Sequence, residues 1–168
     1  MLRYAFAPLL VGLFLAAAMT ACTTQPVILA ATATIADQPH DVAAAPEQYT
    51  NREVLWGGMI LGVRNLADTT EVTVLAYPLD AAQRPQPRAP TQGRFIAVLP
   101  GYVESHDYPD GLFVTLNGRL DGTRVGQVQE HDYVYPLVRA EHVHLWPSGF
   151  QFDQPQWHFG IGVGIGIH

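Results

Sequence analysis

The stretch Glu71-Val72-Thr73-Val74-Leu75-Ala76-Tyr77-Pro78-Leu79 decides the fold class. Val72, Val74 and Ala76 fall on one face of an extended chain and Glu71, Thr73, Leu75 and Tyr77 on the other, the period of two of a strand with one face in a core. Upstream, residues 54–65 are nearly continuous apolar sequence broken by Gly57-Gly58. A glycine pair inside a strand predicts a sharp bend or bulge where a barrel turns a corner. Residues 65–70 then read as a hairpin loop.

Downstream, residues 80–92 hold Pro85, Pro87 and Pro90 with Arg84 and Arg88. Proline lacks the ladder donor, so this stretch reads as an exposed loop. Residues 93–99 form a third strand ended by Pro100-Gly101. A polar segment, 102–111, closes on the turn signature Pro109-Asp110-Gly111. In the fourth strand Leu112, Val114, Leu116 and Leu120 face one way and Phe113, Thr115, Asn117 and Arg119 the other. Asp121-Gly122 predicts a hairpin, with residues 123–129 returning as a short fifth element. Residues 133–146 are long enough to curl around a barrel, with Pro136 at a bulge or an edge. No stretch carries a convincing helical period, and short strands between Gly/Pro turns predict an all-β sandwich or barrel of five to six antiparallel strands.

A chain of 168 residues, 48% hydrophobic, fits one globular domain. Its 15 acidic residues outnumber nine basic ones, all arginine, for a net charge of −6, which excludes an electrostatic hold on phosphate backbones and with it nucleic acid as a partner. The absence of lysine excludes Schiff-base chemistry and a P-loop. One cysteine excludes an internal disulfide, a CxxC redox pair and a multi-cysteine zinc site.

That cysteine, Cys22, follows an apolar run. Arg3 supplies a short positive region, residues 5–19 an apolar core, and Thr20 and Ala21 small residues before Cys22, so residues 1–21 read as a signal peptide cut between Ala21 and Cys22. The apolar run is short of the roughly 20 residues a spanning helix needs. Cleavage before a cysteine frees an α-amine for acylation while the thiol takes a diacylglycerol thioether. At about 0.8 kcal/mol per buried methylene, two or three chains hold firmly where one holds marginally. The alternative is an ordinary secretory signal that leaves a free thiol. Residues 22–50, rich in Ala, Thr, Pro and Gln, read as a flexible tether, with 30–36 as a weak helical fragment. Residues 51–150 are the barrel domain, and residues 151–168 a tail in which Gly160, Gly162, Gly164 and Gly166 alternate with Ile161, Val163, Ile165 and Ile167. Such a tail could add to a sheet edge, self-associate, fray, or rest on the barrel.

The sharpest chemical candidate is His142-Val143-His144, because alternation places both imidazoles on one face, where they could share a metal or small ligand. A metal site needs a third ligand, and no spacing rule selects among His131, His158, His40 and His168. Ser105-His106-Asp107 contains triad residue types, but adjacent residues do not readily form a nucleophile, base and orienter. Asp107 and Asp110 read as turn residues. Trp56, Tyr77, Tyr102, Phe113, Tyr133, Tyr135 and Trp146 could form a stacking platform for a flat ligand, although such residues more often fill a small core. No catalytic residue, resident metal or cofactor is expected beyond covalent lipid on Cys22.

Met19-Thr20-Ala21-Cys22 resembles the bacterial lipobox, with methionine where leucine is commonest, and Thr23 after the cysteine, rather than aspartate, implies sorting to the outer membrane. Trp56-Gly57-Gly58-Met59-Ile60, Tyr77-Pro78-Leu79-Asp80, Gly93-Arg94-Phe95 and Pro100-Gly101-Tyr102 occur in an order and spacing similar to the Slp family of outer-membrane lipoproteins. So do residues 114–120, Gly126-Gln127-Val128, residues 133–137 and His144-Leu145-Trp146. This resemblance covers roughly residues 53–147 and the lipobox. It implies an OB-like five-stranded barrel on a lipidated tether, association with starvation or acid stress in some members, and no established catalytic residues. The methionine in the lipobox and the Gly/Ile tail depart from the family pattern. The reading is a non-enzymatic outer-membrane lipoprotein, structural or stress-related, held by membrane lipid and meeting an envelope protein or cell-wall component. The alternative is a ligand- or metal-binding module built on His142 and His144.

Overall fold

A computed structural model describes residues 25–29 and 34–147. Five strands, β1 (Glu53–Asn65), β2 (Thr69–Tyr77), β3 (Arg94–Pro100), β4 (Phe113–Val128) and β5 (His131–Leu145), close a barrel in the order β1-β2-β3-β5-β4. The all-β expectation holds and the strand number is five. Not every pair is antiparallel: β3 and β5 run parallel, Ile96 opposite Leu137 and Val98 opposite Arg139. A closed ring with an odd number of strands cannot alternate direction throughout, so one parallel pair is a geometric necessity.

The inward positions follow the alternation read from the sequence. Val54, Ile60, Val72, Val74, Phe95, Val114, Leu116 and Val138 are each at most 2% exposed. Burying such a side chain contributes about 1.5–3 kcal/mol. Trp56 completes the core against Phe95, with ring centroids 5.2 Å apart. In β1 the register against β2 shifts between Ile60 and Gly62, so the bulge lies beyond the glycine pair.

Asp121-Gly122 is not a hairpin. β4 runs through it as one strand of 16 residues, with its register against β5 shifting between Leu120 and Thr123 and Gly122 at φ +85°. The chain reverses instead beside Gln129, at φ 56°. The glycine at positive φ lets one strand bend sharply while β5 stays paired on both sides of the bulge. Pro136 lies opposite Thr123, beside that bulge and one residue before the pairing with β3 begins. Its missing N–H therefore interrupts no run of ladder bonds.

Part of the stretch read as a tether is folded onto the barrel. Ile35 forms a parallel bridge with Val54, and its N–H donates to Glu53 O at 2.9 Å. A short helix, α1 (Pro39–Ala44), opens with proline at its start and with the Gln38 N–H bonded to Asp41 Oδ2, and buries Pro39 and Val42. The Trp56 Nε1–H donates to Asp37 O at 3.0 Å and the Tyr49 hydroxyl to Asp37 Oδ1 at 3.1 Å. A six-residue helix is too short to display a period, which is why hydrophobic spacing did not announce it.

Candidate functional site: the outer face of β1, β4 and β5

Alternation puts Glu53, Thr115, Asn117, His142 and His144 on the side of the wall opposite the core. Asn117 pairs with His142 and Thr115 with His144 across β4 and β5, and Glu53 pairs with Arg119 across β1 and β4. The register shift at Asn117/Gly118 absorbs Glu141 and keeps both histidines on one face. Facing outward should leave these polar groups in water. Yet Thr115 is 0%, Asn117 1% and Glu53 9% exposed.

The cover over Thr115 comes from the proline-bearing loop, which is more than an exposed connection. Asp80 Oδ1 accepts the N–H groups of Ala82 and Arg84 at 2.8 and 2.9 Å, and Oδ2 pairs with the Arg84 guanidinium at 2.6 Å. Burial pushes the Asp80 carboxyl up, but these hydrogen bonds outweigh it and hold the group below its ordinary value. Ala82 and Pro85 are buried, and Gln83 O accepts the Thr115 hydroxyl at 2.7 Å. Gln83 also clasps the N-terminal segment: its Oε1 accepts Ile28 N–H at 2.7 Å and its Nε2 donates to Ile28 O at 3.0 Å.

Beside Thr115 runs a polar relay. Asn117 Nδ2 donates to Glu53 Oε1 at 3.3 Å, and Asn117 Oδ1 meets His142 Nδ1 at 3.0 Å. A carboxylate only accepts, so the amide must turn its NH₂ to Glu53 and its oxygen to His142. His142 Nδ1 is then the nitrogen that donates, which in the neutral tautomer leaves the lone pair on Nε2. His144 packs edge-on against Trp146, centroids 4.5 Å apart, and Trp146 Nε1–H donates to Thr115 Oγ1 at 3.0 Å. Both histidines line a cleft of about 370 Å³ with Val27, Ile28 and Leu29.

The other sequence candidates are dispersed. Among the described residues no group of three His, Cys, Asp or Glu side chains could hold a metal. His40 sits on α1 beside Asp41 and Gln92, His131 lies at the opposite end of β5, and His158 and His168 fall outside the described residues. Ser105-His106-Asp107 is one exposed 3₁₀ turn. The aromatic residues make no single platform: Trp56 is in the core, Tyr102 is 66% exposed on a loop, and Tyr77–Phe113 and Tyr133–Tyr135 are separate pairs. Ala21, Cys22 and the Gly/Ile tail lie outside the described residues.

Two features were invisible to sequence reasoning. The relay joins Glu53 to Asn117, 64 residues apart, a separation that no local spacing rule spans. Glu71, with a side chain only 5% exposed, is gripped by Arg124 and by Arg64, the latter at 2.6 Å. The Arg124 hydrogen bond, reinforced by Arg64, holds its carboxyl below the ordinary value against the opposing effect of burial.

Residues 19–160 match the outer membrane lipoprotein Slp family. The chain belongs to that family. A Haemophilus influenzae protein is 31% identical to the Slp-family chain over 105 residues, covering 62% of it and 57% of the relative. The Escherichia coli lipoprotein YeaY is 27% identical over 71% of this chain and 64% of its own. The Escherichia coli outer membrane protein Slp is 27% identical over 60% and 53%. The chain thus spans less than two thirds of the length of each of these relatives. Two solved structures overlap it weakly. A small single-stranded DNA-binding protein from Streptomyces coelicolor is 15% identical at TM-score 0.35, covering 57% of this chain and 94% of its own. Schizosaccharomyces pombe Pot1pC bound to ssDNA is 9% identical at TM-score 0.32, covering 60% and 83%. Membership makes the Slp-family chain an outer-membrane lipoprotein.

Proposed function

We propose that this outer-membrane lipoprotein is held by acyl chains on Cys22 after cleavage behind Ala21, and that its barrel is a non-catalytic, structural or stress-related module of the envelope. The observation that carries this reading is the reach of the family match, from residue 19 through residue 160, which takes in Met19-Thr20-Ala21-Cys22 together with the barrel. A barrel interior filled by its own side chains supports it, since inward positions such as Phe95 and Leu116 leave the wall and its cover to meet a partner. That partner is an envelope protein or cell-wall component, with no role for nucleic acid, in keeping with the acidic balance of the chain.

The experiment is the intact mass of protein extracted from host membranes, beside a Cys22→Ser variant. A mass of residues 22–168 plus lipid, lost in the variant, is expected. An unmodified chain in the soluble fraction overturns the anchor.

A second reading is favoured by the Glu53–Asn117–His142 relay. Metal-binding histidines usually donate their second ring N–H to an outer partner, which fixes the tautomer and orients the ligating nitrogen. His142 has that arrangement, and with His144 it would offer two imidazoles to a borderline divalent ion such as copper or zinc, water filling the other positions.

A further inference from the structure

The clasp between Gln83 and Ile28 shortens the leash between the barrel and Cys22. An extended chain spans at most about 3.6 Å per residue, so Cys22 lies no farther than about 22 Å from Ile28, six residues on, and about 11 Å from Gln25. A domain of about 100 residues has a radius of gyration near 13 Å and is roughly 30 Å across. The leash is shorter than the domain. Were Ile28 not held, the next fixed point would be Ile35 at its bridge to Val54, and a leash of about 47 Å would let any face turn toward the membrane.

The docked segment also has two sides. Ile28 is 7% exposed against the barrel, while its neighbours Val27 and Leu29 are 36% and 86% exposed. The segment bends at Val27, and the side chains on either side of the buried Ile28 form the rim of the His142/His144 cleft with part of their surface open to solvent, Leu29 most of all. Two apolar side chains are thereby presented outward, close to the attachment point, beside the His142/His144 cleft.

We infer that the outer face covered by the residue 80–92 loop is the membrane-proximal face of the domain, with Val27 and Leu29 resting in the headgroup region of the bilayer to which Cys22 is anchored. This rests on the anchoring proposed above. The occupant of the apolar surface is the lipid itself, because the length of chain leading to Cys22 permits no distant placement. The tip of the β4–β5 hairpin, around Gln127, is the end of these strands remote from the Thr115/His144 pair and is the part left to meet a partner.

The test uses the full-length, membrane-extracted protein reconstituted in phosphatidylethanolamine/phosphatidylglycerol vesicles, with an environment-sensitive fluorophore on Leu29→Cys or on Gln127→Cys. Nitroxide-labelled headgroups should quench the probe at position 29 several-fold more than the probe at 127. Gln83→Asn, which shortens the clasp by one methylene but suits the φ of 63° at that position, should bring the two values together. Equal quenching at both positions in protein whose intact mass includes the lipid overturns the orientation alone. A mass without lipid overturns the anchor and the orientation together.

Discussion

Gly58 of β1 and Leu75 of β2 pass so close that a methyl group on Gly58 would overlap the Leu75 carbonyl oxygen and stand 2.7 Å from its carbonyl carbon. Gly118 of β4 stands in the same relation to the Arg139 carbonyl of β5. These glycines face the core, where the barrel wall curves tightly and neighbouring backbones have no room for a side chain. Gly58→Ala is expected to destabilise the fold by about 3 kcal/mol or more, because the obstacle is backbone and cannot swing aside. Gly62→Ala meets no atom within 4 Å and should change stability little. Urea denaturation of the two variants checks the contrast.

Glu71 makes stability depend on acid. Its carboxyl is held below the ordinary 4.5 by the Arg124 hydrogen bond, with help from Arg64, although burial opposes the shift. A depressed folded-state pKa contributes stability that is fully present above the unfolded value and is lost as pH falls through the folded one. Glu71→Gln should therefore cost about 1–3 kcal/mol at pH 7, and the difference from wild type should shrink below pH 4.5. Urea midpoints measured at pH 7, 5 and 3 follow it; a pH-independent difference would discard the ion-pair explanation.

Asp80 organises the loop that covers Thr115. Removing its carboxyl leaves the Ala82 and Arg84 N–H groups without their acceptor. Asp80→Ala should lose about 1–2 kcal/mol and, more tellingly, loosen the cover. Limited trypsin digestion should then cut after Arg88 faster than in wild type. Unchanged digestion would mean that the loop is held by Gln83 and Pro85 without the carboxylate.

The relay predicts a selective affinity for metals. Copper should bind the full-length protein more tightly than zinc, and magnesium and calcium should show no comparable binding, following ligand softness and the usual divalent order. His142→Gln, which retains an amide donor for Asn117, and His144→Ala should each weaken copper binding at least tenfold in equilibrium dialysis. Asn117→Ala should weaken it about 10–100-fold if the relay positions the ring. Copper binding that survives the double histidine substitution would assign the metal to other histidines and remove the second reading.

Much of the barrel was legible. Val72, Val74 and Ala76 were placed inward by alternation and are buried; the turn between β1 and β2 and the end of β3 at Pro100 fell where glycine, proline and polar residues put them. The turn chemistry of Asp121-Gly122 misled, because the same glycine at positive φ serves a hairpin or a bulge, and only the continuous pairing of β5 across it chooses. Residues 34–51 carried no periodic signal, yet Ile35, Asp37 and Val42 fasten them to the barrel.

By itself the sequence determined the period-two strands and the punctuation between them, because these are properties of neighbouring residues. Only the tertiary structure decided that Glu53, Asn117 and Thr115, outward by alternation, are buried. It alone also showed that Gln83 ties Ile28 to the wall. Burial of an outward face depends on what another part of the chain lays over it, and partners 55 or 64 residues apart leave no trace in local spacing.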